Sequence, residues 1–142
     1  MKSKVLVVED YEDTREFMKF LLQDYGFDVF EATNGYEAIE AVNRQAPDLI
    51  LMDISMPGMD GLTAARKIRE HKSSRTTPII AITAYGEAAR RKALEAGCDA
   101  SLSKPIDFDD LEPVLSRYLP KQNHTQPPRA QAQALHDENP AR

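Results

Sequence analysis

Acidic side chains at two places along the chain are positioned to meet: the adjacent pair Glu9 and Asp10, and the single Asp53. Each closes a short apolar run, Val5, Leu6, Val7, Val8 in one case and Leu49, Ile50, Leu51, Met52 in the other. Runs of this length and composition read as strands buried on both faces of a parallel sheet. If the two strands are neighbours, three carboxylates converge at their carboxyl ends, the edge where open α/β sheets place ligands. Like charges that close repel, so the cluster calls for a cation or a proton. Three carboxylates suit a hard divalent cation that prefers oxygen ligands and keeps several waters, which describes Mg2+.

Two more apolar runs deliver polar groups to the same edge. Residues 78–82 lead into Thr83 and Ala84, and residues 100–103 lead into Lys104 and Pro105. A hydroxyl and an ammonium beside a carboxylate-held cation suit an incoming phosphoryl dianion. The set fits in-line phosphoryl transfer onto an oxygen nucleophile, and Asp53 is the candidate, because carboxylates carry acyl-phosphates.

The elements that must position these groups alternate strand and helix. Strands are expected near 4–9, 27–31, 48–53, 78–83 and 99–103, with helices near 13–24, 35–45, 60–72, 86–96 and 108–119. That alternation predicts a parallel sheet flanked by helices. The first helix is expected to bury a stripe of Phe17, Met18, Leu21 and Leu22. The fourth has good helix formers but one large apolar residue, Leu94, so it should form readily and dock weakly. Pro113 is awkward inside a helix, so the fifth is expected to begin late, near Asp109 or Asp110.

Composition sets the outer bounds. The chain has 142 residues, enough for one domain with a core, and residues 1–120 are expected to form it. Residues 121–142 hold one large hydrophobe, Leu135, and are expected to be a flexible polar tail with no output domain. No apolar run is long enough to cross a bilayer or serve as a signal-peptide core, so a cytoplasmic location and no membrane partner are expected. The net charge of −5 and the scattered basic residues argue against direct nucleic-acid binding. The single cysteine, Cys98, has no partner for an internal disulfide and no neighbouring His to activate it, so it reads as a small buried hydrophobe.

In order and spacing, Val8-Glu9-Asp10, the segment from Leu51 to Gly61 around Asp53, Ile82-Thr83-Ala84 and Lys104-Pro105 resemble the receiver domain of bacterial two-component response regulators, over residues 3 to about 119. The resemblance implies a flavodoxin-like α/β fold: a five-stranded parallel sheet in the order 2-1-3-4-5, flanked by five helices. It implies a stand-alone phosphorylation switch in which Asp53 takes a phosphoryl group from a sensor histidine kinase or histidine phosphotransfer protein. Mg2+ would be held by Asp10, Asp53 and the Ser55 carbonyl, with Glu9 acting directly or through water. Lys104, the Thr83 hydroxyl and the backbone N–H groups of Ile54 and Ala84 would take phosphoryl oxygens. A cis peptide bond is expected before Pro105. Signalling would pass to an unidentified downstream protein through the fourth helix, fifth strand and fifth helix, and a phosphorylation-dependent dimer is also allowed.

One position departs from the family pattern. Three residues before Lys104, where an aromatic switch residue is usual, stands Ser101. Tyr85 is the candidate substitute, and it is also placed to shield an acyl-phosphate from water. Two other functions compete with the switch. A Mg2+-dependent phosphatase with an Asp nucleophile would use a similar acid cluster, but its usual second Asp, two residues on, is here Ser55. A receiver-like interaction scaffold would need no complete set of acids, Thr and Lys. The switch is therefore an acceptor that catalyses only its own phosphorylation and dephosphorylation, and not an enzyme in the usual sense.

Overall fold

The computed structural model describes residues 2–56, 58–84 and 86–120, apart from the side chain of residue 108. Strands β1 (Lys4–Val8), β2 (Asp28–Ala32), β3 (Leu49–Asp53), β4 (Ile79–Thr83) and β5 (Ala100–Ser103) alternate with helices α1 (Glu12–Asp24), α2 (Gly35–Gln45), α3 (Gly61–Glu70), α4 (Glu87–Glu95) and α5 (Phe108–Tyr118). A single 3-10 turn, Lys72–Ser74, follows α3. All strand pairs are parallel and the order is β2-β1-β3-β4-β5, as the resemblance implied.

Alternation along the strands sorts the core into two layers, because successive side chains leave a strand on opposite faces. Val5, Val7, Leu49, Leu51, Ile80 and Ile82 face Met18, Leu21 and Leu22 of α1 and Leu111 and Leu115 of α5. Leu6, Val8, Ile50, Met52, Ile79 and Ala81 face Val42 of α2, Ala65 and Ile68 of α3, and Ala93 of α4. With helices on both sides, β3 and β4 are buried at every position. This explains why those runs are continuously apolar instead of alternating.

Two sequence expectations need correction. Phe17 is 56% exposed, so the buried stripe of α1 is Met18, Leu21 and Leu22 alone. Stepping three and four residues from Met18 reaches Leu21 and Leu22, whereas Phe17 falls on the solvent edge of that arc. Helix α5 does not begin late: it starts at Phe108, and Pro113 lies in its second turn. Asp107 starts it there, its side chain accepting from the Asp109 N–H at 3.0 Å, and the burial of Leu111 and Leu115 holds the helix despite one missing N–H. The expectation for α4 holds, since Ala93 is its one buried residue.

Helix α3 starts against the backbone of the third strand. A Cβ on Gly61 would lie 2.5 Å from Ile54 Cα and 2.6 Å from the Asp53 carbonyl oxygen. Only a residue without a side chain lets this helix approach so closely. Gly61→Ala must therefore push α3 or the loop after Asp53 aside, at about 1–3 kcal/mol. Urea denaturation should show that loss, and an unchanged midpoint would mean the contact is more yielding than drawn.

Candidate functional site

Strand register brings the acids together. Val8 stands opposite Met52, so Glu9 and Asp53 are carried side by side to the carboxyl edge of the sheet. The Glu9 N–H continues the β1–β2 ladder to the Ala32 carbonyl at 3.0 Å, fixing where the turn into α1 begins. One carboxylate oxygen from each of Glu9, Asp10 and Asp53 lies within 4.8 Å of the other two. Glu9 and Asp53 are buried and Asp10 is exposed.

Asp53 is held at both oxygens. Lys104 Nζ donates to Oδ2 at 3.0 Å, and the Ser55 N–H donates to Oδ1 at 2.9 Å. Lys104 reaches across from the turn after β5, where the Lys104–Pro105 peptide bond is cis, as expected. Its own N–H donates to the Thr83 carbonyl at 2.9 Å, so the residue bearing the ammonium is also tied to the end of β4. Thr83 is buried at that strand end, while Ala84 beyond it is exposed and small. Ser101 sits half-buried on β5, opposite Ala81. Tyr85 lies outside the described residues.

The backbone donors differ from expectation. The Ile54 N–H, expected to meet a phosphoryl oxygen, instead donates to the Ile82 carbonyl at 3.1 Å as the last rung of the β3–β4 ladder. The N–H that faces the acceptor carboxylate is that of Ser55. Sequence reasoning took Ser55 for its carbonyl and missed this donor, because strand pairing decides which amide is left over.

Charge at the site is unbalanced. Burial, and then the neighbouring Asp53 and Asp10, raise the pKa of Glu9 above its ordinary value, against a lowering by the Tyr11 N–H at Oε2 and by the Lys104 ammonium. Its other oxygen, Oε1, is buried with no hydrogen-bond partner among the described residues. An orphaned buried carboxylate oxygen of this kind suits a cation or a bound water. Burial works against the charged form of Lys104, but its hydrogen bond and attraction to Asp53 outweigh that, and its pKa is raised. By donor chemistry and geometry alone, the residues fit a hard divalent cation.

A parallel α/β sheet with an acid cluster, a hydroxyl and a lysine at one carboxyl edge is the architecture expected of a phosphoacceptor module. The chain belongs to the family described as the response regulator receiver domain, whose model matches residues 5–116. It is 31% identical over 121 residues to sporulation initiation phosphotransferase F of Bacillus subtilis, covering 84% of this chain and 96% of that protein. It is 44% identical over 121 residues to the hybrid signal transduction histidine kinase G of Dictyostelium discoideum, covering 82% of this chain but only 4% of that much longer protein. Among solved structures it is similar to the receiver domain of a sensor histidine kinase of Pseudomonas aeruginosa, with a magnesium ion coordinated in the active-site cleft. That match has a TM-score of 0.77 and 34% identity, and covers 83% of this chain and 98% of that one.

The raised pKa of Glu9 sets a pH dependence. A folded pKa above the unfolded value means the folded state binds more protons in that window, so stability falls as pH rises above about 4.5, the ordinary Glu value. In chelator, Glu9→Gln should raise the melting temperature at pH 7 by a few degrees and flatten this slope. Thermal unfolding across pH 4–8 checks it, and a destabilised Glu9→Gln protein would show that the ionised carboxylate is well accommodated.

Proposed function

We propose that the chain is a phosphorylation-driven signalling switch in which Asp53 accepts a phosphoryl group from a phosphohistidine protein. The observation that carries this reading is the buried Asp53 at the end of β3, paired with Lys104 and crowded by two more carboxylates. An Asp53 carboxylate oxygen attacks phosphorus, the new O–P bond forms as the P–N bond to the donor imidazole breaks, and that nitrogen keeps the electron pair. Lys104 is already within reach, and turns from Asp53 to a phosphoryl oxygen as negative charge moves there. The Thr83 hydroxyl and the N–H groups of Ser55 and Ala84 are further donors at this edge. Asp10, Asp53 and the Ser55 carbonyl would hold Mg2+, with Glu9 in contact directly or through water. When bound, the ion neutralises the clustered charge and the phosphoryl oxygens.

The relatives named above as a phosphotransferase and as histidine kinases support a sensor kinase or histidine phosphotransfer protein as donor. The donor must approach over the carboxyl edge. There a groove of about 660 Å3 between α1 and the turn after β5, lined by Tyr11, Phe17 and Ile106, adjoins Glu9 and Lys104. Downstream, we infer that acylation of Asp53 draws Thr83 inward and shifts α4, changing the face formed by α4, β5 and α5 for a partner protein. With Ser101 in place of an aromatic, α4 itself is the moving part. Multiple turnover on outside phosphate esters is not expected, since Ser55 supplies no carboxyl group as general acid. No helix among the described residues is long and apolar enough to cross a membrane.

Incubation with acetyl phosphate and Mg2+ should raise the intact mass by one phosphoryl group. Asp53→Asn should abolish the adduct, as should excess chelator. An adduct that survives Asp53→Asn would refute the assignment.

A further inference from the structure

Arg15, a residue of α1 that no reading of the acid cluster calls for, grips the backbone of that cluster. Its Nη1 donates to the Glu9 carbonyl at 3.0 Å, and its Nε donates to Glu31 Oε1 at 3.1 Å on β2. The Arg15 side chain is only 14% exposed, so the guanidinium is packed into place. Glu31 is held from its other oxygen by Lys19 at 3.0 Å, one helical turn further along α1. The Glu9 carbonyl belongs to the peptide unit that joins Glu9 to Asp10. With the Glu9 N–H already fixed to Ala32, both sides of Glu9 are anchored, one by the sheet and the other by Arg15.

We propose that Arg15 is a positioning residue for the cation site: by fixing the Glu9–Asp10 peptide it aims two of the three clustered carboxylates at one point. Those carboxylates repel one another and lie on a turn, where nothing else described constrains the carbonyl between them. Released from Arg15, that peptide rotates to spread the charges, and the cation must gather them again at the expense of its own affinity. Outer groups that orient ligands in this way typically contribute about 10–100-fold to metal affinity. Glu31 serves as the stay that keeps the guanidinium in line, and Lys19 holds Glu31 without touching the acid turn.

The inference rests on the cation reading of the cluster and is separable from it by experiment. Isothermal titration of Mg2+ alone into the full chain gives the affinity directly. Arg15→Gln should weaken it about tenfold, whereas Lys19→Gln, which removes a comparable surface charge and one bond to Glu31, should change it less than about twofold. At saturating Mg2+, Arg15→Gln should still take up one phosphoryl group from acetyl phosphate, so that the metal requirement moves and the capacity does not. Arg15→Lys keeps the charge but cannot reach both acceptors, and it should remain weakened; it also carries the test if Arg15→Gln does not fold. Wild-type affinity in Arg15→Gln or Arg15→Lys, or an equal loss in Lys19→Gln, would overturn the positioning role. A wild-type chain that binds no Mg2+ would overturn the cation reading itself.

Discussion

Repulsion among carboxylates gathered at one sheet edge is the constraint around which this molecule is built. Glu9 and Asp53 are buried, and Asp10 adds a third charge within 4.8 Å. Left alone, such a cluster would protonate or spread apart. Here one cation is built in: Lys104, brought from the far side of the sheet, donates to Asp53 at 3.0 Å. The compensation is partial: Glu9 Oε1 is buried with no hydrogen-bond partner among the described residues, and the pKa of Glu9 is raised, by burial first and then by Asp53 and Asp10. The site is therefore left with surplus negative potential and one movable positive group, an arrangement suited to taking up a metal and then a phosphoryl group.

The fold supplies the rigidity this demands. Parallel strands with every residue of β3 and β4 buried cannot adjust their register without moving their whole apolar set to the wrong face. Asp53 thus inherits its position from residues 49–52, which have no chemistry of their own. Gly61 adds a second restraint, because its missing side chain lets α3 close directly on the backbone around Asp53. The apolar layers hold the charged groups where repulsion alone would not.

Much of this was legible in the sequence, for identifiable reasons. Short β-branched runs ending in acid, hydroxyl or lysine report strand and site together, since the polar residue marks where the run leaves the core. The sparse burial of α4 was readable from its single large apolar residue, Leu94. What escaped the sequence depends on three-dimensional detail. Whether Phe17 or Leu21 is buried turns on a few tens of degrees around α1, and Pro113 is tolerated because neighbouring leucines hold α5 down. Which amide faces Asp53, that of Ile54 or of Ser55, is decided by where the β3–β4 ladder stops. Arg15 carries no motif of its own, because its two acceptors come from the turn after β1 and from β2.

Uneven anchoring along α4 follows from the same economy of contacts. Its start at Gly86 has no side-chain cap, and Ala93 is its one buried residue. Beyond its far end the chain is fastened tightly: Arg69 donates to the Gly97 carbonyl at 3.0 Å and to Asp99 at 2.8 Å, while Asp99 also accepts from the Ile79 N–H at 2.9 Å. Cys98 is buried there, its thiol pKa pushed up to about 11 by that burial, which disfavours the thiolate and suits a small packed hydrophobe. A segment with few buried contacts opens at lower free energy than its surroundings. The half of α4 nearest Thr83 and Ala84 is therefore held by fewer anchors than the half nearest Gly97.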